Sequence, residues 1–126
     1  MNVPLFEAIA DLLIPAGADM PSATEAYVGT TGLSEVLKFR PELEAAIENI
    51  LERCHGKSPQ QALDSLDSAA FGTVAEVVAS AYFMNDEVRR RLQYSGQRAR
   101  TIVPEEIDRA LLERVVDRGP IYREAK

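Results

Sequence analysis

Between Ala69 and Met84 the sequence offers a helix almost no polar side. Ala69, Ala70, Phe71, Val74, Ala75, Val77, Val78, Ala79, Ala81, Tyr82 and Phe83 cover nearly the whole circumference. A helix that is apolar all round has to be covered by other elements, so this stretch constrains the fold more than any other feature of the chain. It predicts an all-α architecture, a compact and irregular bundle in which a helix near 69–84 occupies the centre. Gly72 interrupts it, and the expected reason is close approach by a neighbouring helix.

The covering elements are legible from prolines placed where a first helical turn tolerates a missing N–H, at Pro4, Pro21, Pro41, Pro59 and Pro104. After Pro4 the residues Leu5, Ile9, Leu12 and Leu13 form an apolar stripe, predicting a helix to Ile14 that Pro15 ends. Pro21, with Asp19 or Ser22 as cap, predicts a short helix carrying Ala23, Ala26 and Tyr27, stopped by Gly29-Thr30-Thr31-Gly32. Leu43, Ile47, Ile50, Leu51 and Cys54 define the clearest amphipathic helix, closed by His55-Gly56-Lys57. Ser58-Pro59 opens the next, with Ala62, Leu63 and Leu66 inward, and Asp67 or Ser68 caps the central helix. A short helix from Asp86 to near Leu92 breaks at Ser95-Gly96, and Ile107, Leu111, Leu112 and Val115 make a last stripe before Gly119-Pro120. The expectation is thus six to seven helices in one domain spanning 1–126, without strands or repeats.

Most kinds of chemistry find no residue set to run on. With 126 residues and a net charge of −6, the chain repels polyphosphates in bulk, which disfavours non-specific nucleic-acid binding. Gly56-Lys57-Ser58 ends like a phosphate-binding loop, but Leu51 stands where the required earlier glycine belongs. Cys54-His55 lacks the second cysteine of a haem-attachment motif, and one Cys with one His does not make up a zinc set. Cys54 reads as a core residue, while Asp64 and Asp67 read as a solvated face and a helix cap. We therefore expect no catalytic, cofactor-binding or metal-ligating residue in this chain. No apolar run approaches the roughly 20 residues of a membrane span, so direct membrane insertion is not expected. Met1-Asn2-Val3-Pro4 precedes no signal-like stretch, which predicts a cytoplasmic location, or a periplasmic one through export together with a partner.

Arg89, Arg90, Arg91, Arg98 and Arg100 surround Tyr94 and form the one basic segment of an acidic chain. Arginines at this density suit a protein interface, where guanidinium groups pair with carboxylates and stack on aromatic rings.

Two segments carry a family resemblance. Asp11-Leu12-Leu13-Ile14-Pro15-Ala16 followed by Pro21-Ser22-Ala23 resembles the opening of the gluconate 2-dehydrogenase subunit 3 family. Ala81-Tyr82-Phe83, then Glu87-Val88-Arg89, Leu92, Tyr94 and Gly96, is similar to that family's tyrosine-containing helix end and its Leu-x-Tyr-x-Gly element. The resemblance implies a non-catalytic small subunit. It would bind and stabilise, or help mature, a large FAD-dependent dehydrogenase of the glucose-methanol-choline type acting on sugars or sugar acids, with a cytochrome c subunit in some complexes. FAD then belongs to the partner. Many members begin with a twin-arginine signal, which this sequence lacks, so a cytoplasmic complex or an orphan relative fits better than an export role.

The implied interface comprises Ile14, Pro15, Pro21, Tyr82, Tyr94, Gly96, Arg98 and Arg100, with Ile14 and Tyr82 expected to close the core and Arg98, Arg100 and the Tyr94-Ser95-Gly96 turn expected to make contact. The competing readings are a self-associating helical module without a flavoprotein and a small enzyme that uses clustered carboxylates with an acquired metal.

Overall fold

In a computed structural model of the chain, residues 1–99 and 108–120 are described. They form seven α-helices and one π-helical turn, and among them there is no strand, only an isolated bridge between Gly17 and Met20. The all-α expectation and its helix count are both met. The chain divides into two compact units, Met1–Ser95 and Gly96–Lys126.

In the first unit the helices begin where side chains satisfy the free N–H groups of the first turn. Helix α1, Val3–Leu13, starts under Asn2, whose side chain accepts from the Leu5 N–H. Helix α2 is Leu33–Phe39 and α3 is Glu42–Arg53. Helix α4, Pro59–Asp64, opens with a reciprocal box in which Ser58 and Gln61 each accept the other's N–H. The central helix α5, Ser68–Met84, is capped by Asp67, and α6, Asp86–Arg91, by Asn85. The core lies within Phe6–Val88, and Phe6, Ile9, Val28, Ile47, Val74, Val77, Val78 and Val88 are fully enclosed. Cys54 is buried among them as expected, its thiol directed at the Ala62 carbonyl.

Four local expectations need correction. First, α1 buries Phe6, Ile9 and Ala10, with Leu5 and Leu13 packed beside them, whereas Leu12 is exposed. The inward stripe is therefore rotated by about one residue from the one chosen by leucine spacing. Second, no helix stands at Pro21. Ser22 and Glu25 do form a reciprocal cap, but only a turn follows before Tyr27 takes a left-handed conformation with φ 58°.

Third, Gly29-Thr30-Thr31-Gly32 is not a stop. It forms most of the π-turn Val28–Gly32, which runs straight into α2, a helix the sequence reading did not anticipate. Neither glycine has a positive φ; Gly32 is present because a Cβ there would lie 2.9 Å from the Ala81 Cβ. Fourth, α5 touches α2, α3, α6 and the π-turn as a central helix should, yet it is not enclosed. Ala69, Gly72, Glu76, Ser80 and Phe83, spaced at three and four residues, face solvent. Nothing approaches the space a Gly72 Cβ would fill, so no neighbouring helix requires that glycine.

The second unit contains α7, Arg109–Arg118, begun by the Asp108 carboxylate accepting from the Ala110 and Leu111 N–H groups and followed by Gly119 with φ 68°. Leu111, Leu112, Val115 and Val116 are exposed on it. The expected start at Pro104 and the inward Ile107 lie outside the described residues.

Candidate partner interface

The segment joining α1 to the π-turn is irregular, and it is held by side chains from three helices. Asp11 of α1 accepts from both the Thr24 N–H and the Thr24 hydroxyl, each at 2.8 Å. The Ala23 N–H donates to the Ile14 carbonyl at 3.0 Å. From α5 the Tyr82 hydroxyl donates to the Pro21 carbonyl at 2.7 Å. Asn85 caps α6 with its carbonyl oxygen while its amide donates to the Ala26 carbonyl at 3.0 Å. Arg91 of α6 reaches the Asp19 carbonyl. Backbone groups withdrawn from water need such partners, and at Pro21 and Ala26 these bonds supply them where no regular element can.

This geometry sorts the interface residues implied by the sequence. Ile14 and Tyr82 serve the core as expected, Ile14 packing against it and Tyr82 only 4% exposed, and Pro21 is tied to them through its carbonyl's bond from the Tyr82 hydroxyl. Burial raises the Tyr82 phenol above its ordinary pKa, with the Arg91 charge opposing and the Glu25 charge adding to the rise. The phenol therefore keeps its proton and remains a donor to Pro21. Pro15 is exposed beside this closure. Tyr94 is exposed in the first unit, while Gly96, with φ 77°, and Arg98 are exposed in the second. Arg100 lies outside the described residues.

Asp11 gives the closure a pH dependence. Burial pushes its carboxyl upward, but bonds from Thr24, with help from Ser22 and Ala23, outweigh this and hold it below the ordinary value of 3.8. The folded pKa is the lower one, so the stabilisation is present above the unfolded pKa and is lost as pH falls through the folded value. Asp11→Asn is expected to cost about 1 kcal/mol at neutral pH. Urea unfolding should show that penalty shrinking below about pH 4; a penalty constant with pH would contradict the assignment.

A second cluster was only partly legible. After α6 the Tyr94 N–H folds back onto the Arg89 carbonyl at 2.9 Å, and Gln93 turns the chain with φ 55°. Leu92 and Tyr94 thereby join Phe83 and Met84 around an open cavity of about 600 Å³, with Arg89 and Gln93 completing its wall. Phe83 is 54% exposed and Tyr94 57%, and the Phe83 ring is braced edge-on by Tyr82 at a centroid distance of 5.6 Å. Phe83 and Met84 were missed as interface candidates because an apolar helix end reads as core. Their signal was positional: Ala81 and Tyr82 both point inward, and Phe83, about 200° round the helix from Ala81, falls on the other side.

Arg89 pairs with Asp86, and Glu87 accepts from both Arg90 and Arg91. Among the described residues no group of three or more His, Cys, Asp or Glu side chains is placed to hold a metal ion. No helix there is long and apolar enough to cross a membrane. Compared with protein-family models, with curated proteins and with solved structures, the chain matches none.

Proposed function

We propose that this chain is a non-catalytic, partner-binding subunit, and that its partner is a large FAD-dependent dehydrogenase of the glucose-methanol-choline type acting on sugars or sugar acids. The partner carries the FAD, and a cytochrome c subunit completes some such complexes. The observation that carries partner binding is the exposed cluster of Phe83, Met84, Leu92 and Tyr94, four large apolar side chains gathered around one cavity. Contiguous exposed apolar surface rimmed by polar groups is a feature of interaction sites. The choice of a flavoprotein rests on the resemblance of the Ile14-Pro15-Ala16 and Leu92-x-Tyr94-x-Gly96 segments to the dehydrogenase small subunits.

Affinity purification of the tagged chain from its native cells at modest salt tests this directly. A co-purifying large subunit with a flavin absorbance spectrum, turning over sugars or sugar acids, is the expected result. Colourless protein, or a partner without flavin, would overturn it. A self-associating module is the second reading, favoured by the exposed Leu111, Leu112, Val115 and Val116 of α7. Sedimentation equilibrium separates the two, because that module forms dimers or larger species without any other chain.

A further inference from the structure

We infer that the cluster around Phe83, Met84, Leu92 and Tyr94 takes an acidic protein segment, one that presents large apolar anchors among carboxylates. This deepens the partner-binding reading and rests on it. The apolar part of the match is the cavity of about 600 Å³, open to solvent, whose walls are those four side chains with Arg89 and Gln93. Phe83 is held by Tyr82, and Leu92 and Tyr94 by the backbone turn onto Arg89, so the surface is preformed and an incoming segment bears little of the ordering cost.

Charge supplies the other part. From Asp86 to Ser95 the sequence carries three arginines against two carboxylates, a local charge of +1 on a chain whose total is −6. On α6 itself Asp86 and Glu87 serve three guanidinium groups, with Glu87 shared by Arg90 and Arg91, which leaves that helix with a positive excess beside the cavity. Arg89 lines the cavity, and its ion pair with Asp86 lies within one helical turn and is partly exposed. Such a pair is worth little, so an arriving carboxylate can share Arg89 at small cost. Carboxylates elsewhere on the chain repel an acidic segment and leave this site as its preferred contact.

The test uses the full chain as bait for a displayed library of random short peptides. Selected peptides are expected to carry Asp or Glu beside Leu, Ile, Met or Phe, to bind more weakly as salt is raised, and to lose at least about tenfold in affinity to Leu92→Glu combined with Tyr94→Ser. Both residues are exposed, so that variant should retain its helical circular dichroism, which is measured alongside. Neutral or basic selected peptides, affinity unchanged in the folded variant, or no peptide selected at all would each overturn the assignment. The same variant is tagged in native cells to separate this assignment from the partner-binding reading. A flavoprotein retained by it keeps the subunit function and moves its interface elsewhere, whereas wild-type chain that captures no flavoprotein removes the function itself.

Discussion

Tyr82→Ala should destabilise the protein by about 3–5 kcal/mol, the range for emptying an aromatic site in a packed core. The ring is buried, its hydroxyl closes onto the Pro21 carbonyl, and its edge braces Phe83. Tyr82→Phe separates these roles, since it keeps the ring and removes one hydrogen bond, for an expected loss of about 1 kcal/mol. Urea unfolding of the three proteins reads both numbers. Should the alanine variant lose less than about 1 kcal/mol, the ring would not be a core element, and Tyr82 would return to the set of residues free to meet a partner.

The second large effect lies at Gly32, and it comes paired with an effect of opposite sign at Gly72. A Cβ on Gly32 would sit 2.9 Å from the Ala81 Cβ, 3.2 Å from the Tyr27 carbonyl oxygen and 3.3 Å from the Ala81 carbonyl oxygen. Two of these neighbours are backbone, and the Tyr27 oxygen also accepts the Gly32 N–H at 2.9 Å, so none retreats easily. Gly32→Ala is expected to cost about 1–3 kcal/mol and Gly32→Val more, by prising the π-turn from α5. Gly72 is exposed within the same α5, with open space where its Cβ would be, so Gly72→Ala should stabilise by roughly 0.5–1 kcal/mol through helix propensity. Thermal unfolding of both variants decides. If the two substitutions shifted the midpoint in the same direction, the packing described for the π-turn would be wrong.

The same pair shows what a glycine in the sequence does and does not say. Gly72, within an apolar helix, invited a reading of close approach, and Gly29 and Gly32, among threonines, invited a reading of helix termination. The structure moves the close approach to Gly29 and Gly32 and leaves Gly72 facing open space in mid-helix. Local sequence cannot distinguish a glycine that turns the chain from one that lets two helices touch, because the difference lies in a side chain some fifty positions away, Ala81. Gly56 was legible because it follows a complete amphipathic helix and takes a left-handed φ of 77°, a purely local requirement.

The interface residues divide along the same line. Ile14 and Tyr82 were expected to close the core, and they do, at two ends of one closure whose hydrogen bond from Tyr82 to Pro21 spans most of the described first unit. Tyr94 was named from the sequence, but its companions Phe83 and Met84 were not, since an apolar side chain at a helix end reads alike whether covered or bare. Only the backbone turn after α6, which brings Leu92 and Tyr94 beside them, makes the four into a surface.

By itself the sequence determined five of the helices and most of their ends. Prolines, capping side chains and apolar spacing act within a few residues, and that is the range over which they fix α1, α3, α4, α5 and α6. Tertiary structure decided the path from Pro15 to Tyr27, which forms only turns and one isolated bridge and takes its shape from Asp11, Tyr82, Asn85 and Arg91. The bare side of α5 was marked in the sequence by Gly72, Glu76 and Ser80 at four-residue spacing, and tertiary structure extended it by gathering Leu92 and Tyr94 beside Phe83 at its end, which makes the exposed cluster on which the proposed partner binding rests.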